Sequence, residues 1–106
     1  MAKDSFCVVF ITASSPKEAD RISSALVKGR LAACVNAVPS VKSRYWWKGK
    51  IETSSESLLI VKTRRSLVGK LTQKVKAVHS YTVPEVISLP IAGGNPGYLE
   101  WIRKSV

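Results

Sequence analysis

Phe6 to Ala13, FCVVFITA, is an unbroken run of apolar and β-branched positions, which predicts a strand buried on both faces. S-P-K-E follows. Ser15 suits a helix N-cap, Pro16 the first helical position, and Glu18 the reciprocal position of a capping box. Ala19, Ile22 and Leu26 then recur at helical spacing, and Gly29 after Lys28 is a stop signal. From Ala32 to Trp47 the pattern changes to period two. Pro39 breaks it, which predicts an edge strand with a bulge or bend. Gly49 marks a turn, and a second strand runs from Lys50 to Thr63, loosened at Ser54 and Ser55. Ser66 to Val78 reads as a helix with Leu67, Leu71, Val75 and Val78 inward and Lys70 and Lys74 one turn apart on the wet side. HSYTVPE is a loop into a short strand, Glu85 to Pro90. G-G-N-P then sets a turn in which Asn95 caps, and Pro96 opens, a last helix carrying Tyr98, Leu99, Trp101 and Ile102.

The order β-α-β-β-α-β-α predicts an α+β fold: a ferredoxin-like βαββαβ sandwich with an extended hairpin and a C-terminal helix. Its sheet places the first strand between the last and the third, with the second outside. Residues 1–106 read as a single domain, in keeping with the length.

The hairpin raises a question of cover. Alternation sends Tyr45 and Trp47 to one face and Trp46 to the other, while helices cover only one face of such a sheet. Each ring can bury roughly 150–250 Å². At about 25 cal/mol per Å² that is worth several kcal/mol, a large penalty if the rings stay wet. The two strands around Gly49 are also far longer than the usual mode of about 5–6 residues. A second copy, with hairpins intertwined about a symmetry axis, is the simplest cover.

Charge adds a second theme. The net charge of +10 favours anionic partners such as nucleic acid, acidic membranes or phosphorylated ligands, or serves only to keep copies apart. The chain has two cysteines, Cys7 and Cys34, and one histidine, His79. Two thiols make no disulfide framework. The MAKDSF start has no long apolar run and no segment reaches the ~18 apolar residues of a membrane span. A cytoplasmic home with reduced thiols is the expectation.

Several motifs together resemble one family. L-A-A-C-V-N (Leu31 to Asn36), Y-W-W-K-G-K-I-E (Tyr45 to Glu52), K-T-R (Lys62 to Arg64), V-P-E-V-I (Val83 to Ile87), L-P-I (Leu89 to Ile91) and Y-L-E-W-I (Tyr98 to Ile102) stand in the order and spacing of the CutA divalent-cation tolerance family. The resemblance covers nearly the whole chain. It implies a ferredoxin-like homotrimer of high stability with strands shared between subunits, linked to copper and other divalent-ion tolerance, and no enzymatic activity. Ile11 and Val78 stand where members with proposed copper sites resemble one another in carrying a further Cys and His. The resemblance therefore implies weak direct copper binding.

Among candidate sites, a metal would use Cys34 and His79, with copper or another divalent cation as the ion and no cofactor required. That is short of the about four ligands of a closed zinc site, and no CxxC or HxxxH spacing supports it. Cys34 also reads as an inert buried thiol, and His79 as a helix C-terminal cap or interface residue. A second constellation, Lys62, His79, Tyr81 and Glu85, met by Tyr45, Trp46, Trp47 and Lys50 of the hairpin of a neighbouring subunit, describes an interface or ligand cleft for a small anion or metabolite, or a hydrogen-bonded interface network. A trimeric signalling-type protein binding an anion or nucleotide between subunits is the alternative reading. A nucleic-acid-binding module comes third: S-L-L-I-V-K (Ser57 to Lys62) lacks the stacking aromatics of an RNA-binding sheet, so no specific nucleic acid is expected. No P-loop and no G-x-S-x-G motif is present.

Overall fold

A computed structural model describes residues 5–106. Met1 to Asp4, part of the segment read for a leader, lie outside the described residues. The elements are β1 (Phe6–Ala13), α1 (Pro16–Lys28), β2 (Cys34–Trp47), β3 (Lys50–Arg64), a 3-10 turn (Arg65–Leu67), α2 (Val68–Val78), β4 (Val86–Pro90) and α3 (Pro96–Ser105). The sheet order is β2-β3-β1-β4 and every pairing is antiparallel, as the element order predicts.

The core lies between the sheet and the α1–α2 layer. Cys7, Val9, Ile11 and Ala13 of β1 and Leu59 and Val61 of β3 are buried against Ile22 and Leu26 of α1 and Leu71 and Val75 of α2. Each large aliphatic among them contributes roughly 1.5–3 kcal/mol by leaving water. The predicted double-sided burial of β1 is corrected here: its even positions, Phe6, Val8, Phe10 and Thr12, are only half-buried. No helix of the α1–α2 layer covers that side. Leu58 and Ile60 of β3, and Ile87 and Leu89 of β4, stand level with these residues in the register. The result is an open apolar face.

α3 closes one end of the sheet. Ile102 is buried there, Asn95 Oδ1 accepts Gly97 N–H at 3.0 Å, and Arg30 Nη1 donates to the Ser105 carbonyl at 3.0 Å. Helix α2 starts later than the periodicity predicts, because Arg65 to Leu67 close a 3-10 turn first.

The β2–β3 hairpin dominates the shape. Fourteen residues of β2 reach about 46 Å at strand rise, close to the 47 Å long dimension of the molecule. β1 pairs with β3 only from Ser57 to Arg64, so the hairpin beyond Glu56 has no third strand. Lys48 (φ 51°) and Gly49 (φ 77°) form the tip, both in the left-handed region that a two-residue hairpin turn of matching twist requires. The break at Pro39 is real. Pairing runs Val38↔Leu58 and then Val41↔Glu56, so β2 spends one residue more than β3 there. Ser57 Oγ donates to the Pro39 carbonyl at 2.8 Å and fixes the irregularity. A one-residue offset reverses facing. Tyr45 and Trp47 therefore share the side of Glu56, Leu58 and Ile60, while Trp46 and Ile51 take the other side.

Candidate functional site

The chain builds its densest polar cluster where the β1–α1 loop meets the α2–β4 loop. Ser15 Oγ accepts the Glu18 N–H at 3.1 Å, half of the predicted capping box. The other half differs. The Glu18 carboxylate passes the cap and takes Ser14 N–H and Ser14 Oγ–H, both at 2.9 Å, on Oε1. Its Oε2 takes Ser80 N–H at 2.8 Å and Arg21 Nη2–H at 3.4 Å. Glu18 is 4% exposed. Burial pushes its carboxyl up, but the Ser14 and Ser80 donors together outweigh burial and hold it at about 2. One carboxylate thus clamps two loops 62 residues apart in sequence.

His79 sits beside it with a fully buried side chain. It is the C-cap residue of α2, as expected, with its own N–H on the Val75 carbonyl. Its Nε2 bonds the Thr12 carbonyl at 2.7 Å, and its Nδ1 faces Tyr81 N–H at 3.0 Å. A carbonyl only accepts and an N–H only donates. The imidazole therefore carries its proton on Nε2, and both ring nitrogens are engaged. Glu18 Oε1 lies 3.8 Å from Nδ1.

Tyr81 carries the network toward the hairpin. Its ring centroid is 4.6 Å from that of His79, and its hydroxyl donates to Glu56 Oε2 at 2.8 Å. Burial, and then the bond to Glu56, push the Tyr81 phenol well above its ordinary value. Burial and then the Glu56 carboxylate raise the Glu85 carboxyl as well. Tyr45 of the same chain is near enough to Tyr81 to act on its ionisation, and its hydroxyl pairs with Ser54 Oγ at 3.2 Å. His79, Tyr81, Glu85 and Tyr45 thus form one neighbourhood.

Lys62 does not join it. It stands six residues along β3 from Glu56, about 20 Å at strand rise, and donates to Asn36 Oδ1. Cys34 is directly opposite Lys62 in the register, half-buried, with its thiol 3.8 Å from Asn36 Oδ1. Cys34 also touches Tyr98 of α3, whose phenol is raised by burial and then by that thiol. Cys34 lies level with Val8, whereas His79 bonds Thr12, four residues or about 13 Å along β1. The two candidate metal ligands stand at separate ends of the sheet. No group of three or more His, Cys, Asp or Glu side chains close enough to hold a metal occurs among the described residues. Trp46, Trp47 and Lys50 are exposed at the hairpin's outer end, Trp46 by 73%.

Glu18 and Glu56 were not legible as site residues. Glu18 matched a capping signal that explained it fully. Glu56 carried one signal, a carboxylate at a period-two position that otherwise holds Leu58 and Ile60.

These features define a ferredoxin-like α+β domain with a long unpartnered hairpin, an open apolar sheet face and a buried polar clamp. The profile described as "CutA1 divalent ion tolerance protein" matches residues 7–105, and the chain belongs to that family. It is 52% identical over 98 residues to Protein CutA 1, chloroplastic, of Oryza sativa, covering 92% of this chain and 55% of that protein. It is 51% identical over 98 residues to the divalent-cation tolerance protein CutA of Thermus thermophilus, covering 92% of this chain and 95% of that protein. The chain spans about half the length of the plant and mammalian relatives it matches. Among solved structures, CutA1 from Oryza sativa superposes with a TM-score of 0.93 at 50% identity, covering 95% of this chain and 93% of that chain. A structure from Archaeoglobus fulgidus described as a periplasmic divalent cation tolerance protein gives 0.92 at 43% identity, covering 94% and 97%. No helix among the described residues is long and apolar enough to cross a membrane.

Proposed function

We propose that this chain acts in divalent-ion tolerance as a non-enzymatic homotrimer, its hairpin and open sheet face forming the contacts between copies. One observation carries the reading: Phe10, Leu58, Ile60, Ile87 and Leu89 make an apolar sheet face with no helix of the α1–α2 layer over it, on the same side of the sheet as Tyr45 and Trp47. Apolar area of that extent is ordinarily covered by a partner. The hairpin beyond Glu56 supplies the matching surface, being long, aromatic and without a third strand. Light scattering at micromolar protein tests it. A particle of three times the 11.6 kDa chain mass is expected, and a species of single-chain mass overturns the reading.

Direct copper binding is weak in this reading. Both His79 nitrogens are bonded within the chain, and Cys34 stands apart from them. Calorimetric titration of copper and zinc into wild type, Cys34→Ser and His79→Ala checks this. Tight copper binding abolished in both variants would reverse it. The anion alternative gains no support from the cleft, where Glu18, Glu56 and Glu85 set the local charge.

A further inference from the structure

Basic side chains are dense on the helix layer, and exposed carboxylates there are scarce. On α1, Lys17, Arg21 and Lys28 recur at intervals of four and seven residues, which places them on one narrow stripe of the helix. On α2, Lys70 and Lys74 are one turn apart, with Lys76 nearby. All six are exposed, and the two helices pack side by side on the same face of the sheet. Arg21 Nη2 reaches the Val78 carbonyl at 3.5 Å, so the α1 stripe turns toward the end of α2. Asp20 is the one exposed carboxylate on either helix, because Glu18 is buried in its clamp. Lys17, Lys28, Lys70 and Lys74 have no carboxylate partner among the described residues.

The rest of this layer says what kind of anion fits. It holds no aromatic side chain, so it offers no platform for stacked, single-stranded bases. Val27 is its only exposed large hydrophobic, so it has little to bury in a bilayer. Attraction must come from charge alone, and from regularly spaced charge. Lys17 to Lys28 spans about 16 Å of helix. A nucleic-acid duplex presents roughly nine phosphates over that length.

We propose that the α1–α2 face is a docking surface for the phosphate backbone of duplex nucleic acid, held without regard to sequence. This surface is opposite the apolar sheet face and stands whether or not the chain self-associates. No side chain on it is placed to read base edges, so two unrelated sequences bind equally.

The test is fluorescence anisotropy with a labelled duplex about two helical turns long, in two sequences, over a range of salt. Lys17→Gln/Lys28→Gln/Lys70→Gln/Lys74→Gln is compared with Lys42→Gln/Arg44→Gln/Arg65→Gln/Lys104→Gln, which removes equal charge elsewhere and leaves the tip and the candidate cleft untouched. Circular dichroism verifies that both fold. The helix-face variant is expected to lose about tenfold or more in affinity at low salt and to flatten the log–log salt slope by about 3. The control should change less than about threefold. Equal losses in the two variants, no binding by wild type, or tighter binding to vesicles of equal phosphatidylserine and phosphatidylcholine than to duplex would each overturn the proposal.

Discussion

The Tyr81 hydroxyl donates to Glu56 Oε2 at 2.8 Å, joining the loop after α2 to the root of the long hairpin. Glu56 is 9% exposed, and Tyr81 is the donor that answers its charge. Tyr81→Phe leaves that carboxylate wanting and should destabilise the fold by about 1–3 kcal/mol. Tyr81→Phe combined with Glu56→Leu should recover much of the loss, since the buried charge goes with its donor. Urea unfolding of the two variants and the wild type measures both effects.

Glu18 gives the fold a dependence on acid. Its carboxyl is held at about 2, against an ordinary value of 4.5. A lowered folded-state value means stability that is complete above about 4.5 and is lost as pH falls toward 2. Its size is on the order of 3 kcal/mol. Glu18→Gln should therefore be clearly less stable than wild type at pH 6, with the gap closing by pH 2. Thermal melts across that range decide it, and a gap independent of pH would refute the assignment to the charged carboxylate.

A charge on the open sheet face should block self-association. Phe10 points to that face from the middle of β1, and its neighbours across the register are Ile60 and Ile87. Phe10→Asp buries an unpaired carboxylate in any assembly that covers the face, at a cost of several kcal/mol. Light scattering should find a single-chain species for the variant. Lys17→Gln, on the opposite side, should leave the particle mass unchanged.

The tip of the hairpin requires its glycine. Gly49 has φ 77°, and an added Cβ there would touch nothing within 4 Å, so the penalty of Gly49→Ala is conformational and not steric crowding. A loss of about 1 kcal/mol is expected. Gly69, in α2 with open space around it, should behave oppositely: Gly69→Ala stabilises by about 0.5–1 kcal/mol. Parallel unfolding curves compare the two.

Local signals in the sequence were enough to read the element order, because each element depends on neighbours within a few residues. The strand order followed from the fold that this order suggests, since β1 pairs with strands far from it along the chain, Ala13 with Ser57 and Cys7 with Pro90. Ser15 and Pro16 open α1 and Asn95 and Pro96 open α3 as their side-chain chemistry requires. The division of Tyr45 and Trp47 from Trp46 also follows from alternation alone. Which side each takes does not, since that depends on the offset between Val38 and Val41. The polar clamp was equally hidden. Glu18 meets Ser80, and His79 meets the Thr12 carbonyl, through folding of the whole chain, and a backbone carbonyl leaves no mark on a sequence. Lys62 illustrates the converse: it falls in a recognisable motif with His79 and Glu85 downstream, yet strand length carries it far from both.

The extra residue near Pro39 takes up a difference in length between the two strands. Below it, even-numbered residues of β2 share the side of Leu58 and Ile60; above it, odd-numbered residues do. Deleting one residue there would remove the bulge yet leave Val41 opposite Glu56 and Trp46 opposite Ile51, so the tip would keep its facing. The surface offered at the tip is thus tied to the body through β3, while the bulge lets β2 vary in length without disturbing it.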